Sequence, residues 1–359
     1  MIATDTRLNN FDFLRLSAAI LVLFSHCYPL AGRSADEPVL NFLGYETGGG
    51  VAVAVFFTIS GYLIAASWLR GRSALDYLTK RVMRIFPGLA VAVLLSIMLG
   101  ALLTPLKLRD YLSHELTLNY LSNIWLHIHY HLPQVFAENP HPHAINGSLW
   151  TLPIEFFLYI MVLLLGISTL LRPWPMLGLA LLCLLALVGI RHIPALADMV
   201  VLSAAPLKLA LRMGCFFFLG ACCYLFRQHI AYRLPTAALL LLGLLLTKGT
   251  VLGFYFYMLA LPYLVFYFAQ LDTPRLRATS RHGDLSYGIY IYAFPVQQLI
   301  MHLHGPGLSI STFFVLALLP TLMLAYLSWR CIEAPALAWA RSPRIPSWVQ
   351  RLMPKRAQP

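Results

Sequence analysis

Charge is scarce in this chain. Of its 359 residues only 11% are Asp, Glu, Lys or Arg, while 59% are hydrophobic and the mean hydropathy is +0.73. A soluble domain carries about 25% charged and roughly 45–50% apolar residues. So little charge cannot cover a water-facing surface, which excludes soluble globular, disordered, fibrous and disulfide-scaffold classes. Cysteine is sparse too. Cys27, Cys183, Cys215, Cys222, Cys223 and Cys331 lie in or at the edge of apolar runs, where they read as small buried hydrophobes and not as a disulfide framework. The alternating ten-residue strands of a membrane barrel are missing, as is the internal repeat of many secondary transporters. The first apolar stretch has Arg15 near its start and no small-residue cleavage site. It therefore reads as a span and not as a removable signal peptide.

What remains is an all-α polytopic membrane protein, because each helical span needs roughly 20 apolar residues. Ten spans are predicted, at about 11–30, 49–69, 86–104, 148–170, 174–190, 206–226, 235–250, 251–271, 285–304 and 309–332. The chain divides into a transmembrane domain over 1–340 and a basic tail over 341–359. Acidic residues are outnumbered 14 to 26, a net charge of +12. In a soluble protein that excess suggests nucleic acid. In a membrane protein Lys and Arg collect in cytoplasmic loops, and no nucleic-acid partner is expected. With both termini cytoplasmic, eighteen of the 26 fall inside and seven outside, Arg15 lying within the first span.

Charges within spans are costly and persist mainly where they face the protein interior and have a use. In the first span Arg15 and His26 stand eleven residues apart. Eleven helical steps return to within about 20° of the start, so both project from one face, about 16 Å apart along the axis. A guanidinium clamps phosphate well, and an imidazole is a good general base near neutral pH. The plainer alternative is a snorkelling arginine and a packing histidine. Glu155, about one turn inside the fourth span, is expected at the depth of His26, where a carboxylate orients the imidazole. Its alternative is an ion pair with Arg212 or Lys208. Gly48, Gly49 and Gly50 give backbone freedom at the mouth of the second span. Ser60 and Gly61 allow a helix or ligand to approach at mid-membrane. Arg81 and Arg84 share a helix face beside Lys80, Arg70 and Arg72, a ready polyphosphate site. Histidines crowd 127–143, but no cysteine or acidic partner completes a ligand set there, so no metal is expected.

These motifs together resemble the integral-membrane acyltransferase family 3, the bacterial O-acetyltransferases of surface glycans. The resemblance rests on Arg15-x10-His26, GGGVAVAVFFTISGYL, the Arg81-x2-Arg84 of RVMRIFPG, SLWTLPIEFF and LSYGIYIYAFP. It covers about residues 9–336 and keeps the family's order. Any one motif is weak, and the five in order are specific. It implies ten spans in a bacterial cytoplasmic (inner) membrane, acetyl-CoA as the cytoplasmic acyl donor, and a glycan or glycolipid acceptor such as lipopolysaccharide or exopolysaccharide. It also implies that Arg15 and His26 are needed for activity and that Arg81 and Arg84 are tied to CoA. Glu155 matches the acid after the Ser-x-Trp segment. Some members carry a fused extracytoplasmic SGNH domain, and this chain resembles the stand-alone type.

The expected chemistry places nucleotide phosphates on Arg15, Arg81 and Arg84 and runs the arm of acetyl-CoA past Ser60 and Gly61. His26 then acts as general base with Glu155 orienting it. Ser60, Asn146, Ser148 and Trp150 are candidate oxyanion or acceptor contacts. Transfer is direct, or runs through an acyl group on His26 or a serine. Tyr45, Tyr111, Tyr120, Trp125 and Tyr130 in the outer segments suit sugar rings or form an interfacial aromatic belt. The first rival functional class is a transporter or flippase for a lipid-linked or anionic solute, and the second is a metal-binding or sensor membrane protein, suggested by the His-rich outer loop.

Overall fold

The structure, a computed structural model, describes residues 10–341 apart from 72, 204, 278 and 280–282. Beyond Arg341 the expected basic tail lies outside the described residues, as do Arg7, Arg72 and Arg281. Ten helices occupy the predicted spans: α1 (Phe11–Leu30), α2 (Gly48–Gly71), α3 (Ala74–Leu103), α4 (Thr151–Ile167), α5 (Pro173–Ile190), α6 (Leu207–Leu225), α7 (Leu234–Leu246), α8 (Val251–Ala269), α9 (Ser286–His304) and α10 (Ile310–Ser328). A five-residue π segment (Trp329–Glu333) carries α10 into α11 (Ala334–Arg341). Eight of the described helices are long and apolar enough to cross a membrane. The other two of the ten are α7, with 13 residues, and the more polar α9. The protein is an all-α multi-pass membrane protein.

Local chemistry sets the helix ends. Ser73, Thr250 and Ser309 cap α3, α8 and α10 by accepting from Asp76, Gly253 and Thr312 N–H at 3.4, 2.9 and 3.1 Å. Such side chains satisfy N–H groups that the first turn leaves unpaired. Proline in the first turn opens α5 and α7, where a missing N–H costs nothing.

Packing explains the polarity of α9. It lies between α1 and α10, and most of its residues are buried. Gln297 donates to the Leu23 carbonyl (2.9 Å), and Gln298 donates to the Ala144 carbonyl (2.7 Å). A helix sheathed by protein meets little lipid and can carry such groups once they are bonded.

Helices α2 and α6 cross closely. A Cβ on Gly61 would strike the Phe217 carbonyl, and one on Gly220 would strike the Thr58 carbonyl. The two glycines fill each other's approach, the small-residue packing that membrane helices favour. Overpacking a core costs about 1–3 kcal/mol, and here the obstacle is backbone. Gly61→Val is therefore expected to fall at the upper end of that range, read as a lowered thermal midpoint and a lower yield of monodisperse protein in detergent.

The face at which α1 begins also carries the end of α2, the start of α3 and the start of α9, and is the basic face. The opposite, loop face carries the 31–47 and 104–150 connections. The second of these folds over the end of α3 through two short helices, Leu108–Ser113 and Glu115–Leu121, and a bridge between His131 and Ala144. Two of its aromatics are core residues, contrary to a sugar-facing role. Tyr111 and Tyr120 are both 0% exposed, and Tyr111 donates to the Ile97 carbonyl at 2.9 Å. Tyr45 packs on Phe254 and Tyr257, whereas Trp125 is exposed. All six cysteines are free.

Candidate active site

Two cavities approach each other along α1, α2 and α9. The first, about 440 Å³, is reached from the basic face. Its mouth holds Arg15 of α1, Lys80, Arg81 and Arg84 of α3, and Asp284 just before α9. Its deeper wall holds Ser60, Glu155, Tyr159 and Tyr290. The Asp284 carboxylate joins two guanidiniums, with Arg15 and Arg84 each 2.5 Å from Oδ2. Ser286 Oγ donates to the other oxygen at 2.5 Å. Burial alone would raise the Asp284 carboxyl, but the two arginines and Ser286 outweigh it and hold the group well below the usual carboxylate range. Arg84 also lies 3.9 Å from Glu333 and over the Tyr287 ring. Arg81 differs from its neighbours. It has no carboxylate partner among the described residues, and its guanidinium rests between the rings of Tyr77 and Tyr159 at 5.7 Å from each.

The second cavity, about 310 Å³, opens at the loop face. It is lined by His26, Ser25, Glu46, Arg212, Trp150, Gly49 and Gly50, among others. His26 Nδ1 is buried without a hydrogen-bond partner among the described residues, and the ring stands edge-to-face on Phe294 at 5.4 Å. His141 packs on the same phenylalanine at 6.1 Å. Burial lowers the His141 pKa, which favours a neutral imidazole there.

The glycine run has a steric use beyond backbone freedom. A Cβ on Gly48 would meet Glu37 Oε1 at 2.9 Å, and one on Gly50 would collide with the Glu46 carboxylate. Glu37 accepts from Gly48 N–H (3.0 Å), Leu40 N–H (2.5 Å) and Ser25 Oγ (3.2 Å), stitching the 31–47 segment to α1 and α2. Carboxylates beside a helix N-terminus are favoured by its dipole. Glu46 pairs with Arg212 at 2.6 Å.

Arg15 and His26, expected on one stripe of α1, line the first and second cavity respectively. Arg81, Arg84, Ser60 and Glu155 all line the first. Three expectations need correction. Glu155 does not orient His26: it takes a hydrogen bond from Tyr159 and one from Ser60 (3.5 Å), and so serves the first cavity. Its alternative ion pairs are also taken, since Arg212 holds Glu46 and Lys208 holds Asp198. Gly61 does not line the first cavity, because its open side is filled by the α6 backbone. Asn146 is committed to structure, donating to the Ile291 carbonyl (2.8 Å) and accepting from Ser148 N–H (3.1 Å). Ser148 is 1% exposed with Oγ unpartnered, and Trp150 lines the second cavity. Among the described residues no group of three or more His, Cys, Asp or Glu side chains is placed to hold a metal.

The arrangement is a cavity with a cationic mouth and, across Val53 and Tyr290, a second cavity that holds a histidine. Residues 8–330 match the family model described as an acyltransferase domain. The chain belongs to acyltransferase family 3. The matched region contains every helix from α1 to α10 and all of the second cavity, whereas Leu337 and Arg341, which also line the first, lie beyond it. The acyltransferase is 33% identical over 335 residues to "O-acetyl transferase" of Shigella phage Sf6, an alignment covering 90% of this chain and 95% of that protein. It is 28% identical over 369 residues to "Nodulation protein 10" of Rhizobium leguminosarum bv. viciae, covering 92% and 93%. No solved structure matches.

Several polar residues of the acyltransferase escaped sequence reasoning. Asp284 resembles an ordinary interfacial residue, and Glu333 resembles a helix end, yet Glu333 is 2% exposed and takes a hydrogen bond from Ser328. Glu37 and Glu46 sit in or beside loops, where charge is unremarkable, and Arg212, inside α6, was weighed only as a partner for Glu155. Tyr159 was detectable, because it follows Glu155 by four residues and so shares its helix face.

Proposed function

We propose that this membrane acyltransferase moves an acetyl group from cytoplasmic acetyl-CoA to a hydroxyl of an extracytoplasmic glycan, in the cytoplasmic membrane of a bacterium. The observation that carries this reading is the meeting of two cavities from opposite faces, one ringed by arginines and the other holding His26. The relative named O-acetyl transferase supports acetyl as the group and oxygen as the acceptor. The excess of Lys and Arg at the basic face supports a cytoplasmic placement of that face and of both termini. The acceptor class, an O-antigen, an exopolysaccharide or a similar glycan, rests on family resemblance.

In this reading Arg15, Arg81 and Arg84 hold the nucleotide phosphates, and the arm runs through the first cavity past Ser60, Tyr159 and Glu155. The thioester reaches the neck between the cavities. The acceptor hydroxyl enters from the loop face, and His26 takes its proton as the oxygen attacks the thioester carbonyl. The carbon–sulfur bond breaks, and the proton passes to the departing thiolate, giving CoA and the acetyl ester. Glu155 acts as a positioning residue on Ser60 and Tyr159.

The direct test is transfer of labelled acetyl from acetyl-CoA to glycan in membranes holding this protein, with mass spectrometry of the glycan. One added acetyl per acceptor sugar supports the reading, and acetyl-CoA that is neither bound nor consumed overturns it. Arg81, the guanidinium without a carboxylate, gives a second test. A hydrogen bond to a charged group contributes about 1.5–3 kcal/mol. Arg81→Ala is therefore expected to raise the KM for acetyl-CoA at least tenfold with a smaller change in kcat.

A further inference from the structure

The two cavities share only two lining side chains, Val53 of α2 and Tyr290 of α9. Both are nearly buried, at 7% and 8% exposure. Neither can give way easily. The Tyr290 hydroxyl donates to the Ser148 carbonyl at 2.9 Å and lies 2.7 Å from Thr151 Oγ1, so both its donor and acceptor roles are used. Its ring also stands edge-on to Phe56 at 5.9 Å. Val53 is β-branched, and such a side chain on a helix is confined largely to one χ1 rotamer. Around this neck the first cavity presents Phe56, Phe57 and Leu152, which are apolar and offer no polar partner to an acyl chain.

We infer that Val53 and Tyr290 form an acyl-length filter, a rigid neck that seats the methyl of an acetyl thioester and rejects longer chains. The inference rests on the proposed acetyl-CoA reading and names the residues that set its acyl selectivity. At the neck the carbonyl must face the acceptor hydroxyl from one side while the sulfur trails into the arm on the other. The acyl substituent has no third direction except into the neck wall. A chain longer by one methylene then either displaces the carbonyl from the hydroxyl or strains a pinned ring. In rigid apolar sites one methylene changes kcat/KM by about 10- to 200-fold.

The experiment compares acetyl-, propionyl- and butyryl-CoA as donors for wild type, Val53→Ala and Tyr290→Phe, in membranes with a fixed acceptor. The readout is the ratio of kcat/KM for each longer donor to that for acetyl-CoA. Wild type is expected to favour acetyl over propionyl at least tenfold. Val53→Ala is expected to raise the butyryl-to-acetyl ratio at least tenfold. Tyr290→Phe, which frees the ring from both hydrogen bonds, is expected to raise it less. Should Val53→Ala fail to fold, Val53→Ile narrows the same neck and must depress propionyl transfer more than acetyl transfer. Wild type using butyryl-CoA as readily as acetyl-CoA overturns the filter alone, as does a ratio unchanged within twofold in every folded variant. Wild type that transfers no acyl group from any of these donors overturns the underlying reading instead.

Discussion

His26→Ala is expected to lower acetyl transfer about 10²- to 10⁴-fold, the usual contribution of a placed general base, while acetyl-CoA binding changes less than threefold. The split follows from where the groups sit. His26 lines the loop-face cavity, and the arginines that would hold the donor line the other. Removing the imidazole leaves the donor site intact and strands the acceptor proton. Labelled transfer in membranes gives the rate, and a thermal shift of purified protein by acetyl-CoA gives binding. Transfer retained within threefold of wild type removes His26 from the chemistry. Loss of both transfer and binding assigns it a packing role on Phe294.

Asp284→Ala is expected to be the most destabilising single change at the site. It strips two partly buried guanidiniums of their shared carboxylate, and breaking a buried pair by removing one partner costs about 3–5 kcal/mol. Among the described residues Arg84 then keeps Glu333 at 3.9 Å and the Tyr287 ring, and Arg15 keeps no ion pair. The pH dependence has a definite sign. A carboxyl held below its unfolded pKa stabilises the fold at neutral pH and loses that contribution as the medium turns acid. Wild type should therefore approach the stability of Asp284→Ala on acidification, and the gap should stay constant towards alkaline pH. A thermal melt series in detergent checks both. If the guanidiniums also receive donor phosphates, acetyl-CoA should stabilise Asp284→Ala more than wild type, because its phosphates then replace a missing counter-charge. Equal stabilisation of the two proteins would separate the Asp284 network from the donor site.

The reach of the sequence is visible in particular residues. In a chain this apolar a single charge or histidine inside a span is conspicuous, as with Arg15, His26 and Glu155, while Arg81 and Arg84 stand out as a basic pair on one helix face; all five line one cavity or the other. Helical geometry then gave each its face and depth. Neighbours across helices were a different matter. Glu155 was matched to His26 by depth, but the structure pairs it with Tyr159 and Ser60. Gly61 lies next to Ser60 in sequence yet faces α6, because adjacent helical residues point about 100° apart. Asp284 gave no signal, since charge at a span end is ordinary, and Arg212, weighed as a partner for Glu155, pairs with Glu46 instead.

Apolar length and charge bias alone determined that this protein is a helical bundle in a membrane, with a basic face and a few polar groups kept inside. Those features are local, because the bilayer imposes them on each helix separately. Only tertiary packing decided that α9, among the more polar helices, belongs at the centre, that Asp284 locks Arg15 to Arg84, and that Val53 and Tyr290 stand between two cavities. Such facts depend on which helix faces which, and that is chosen by side chains far apart in the chain meeting across an interface.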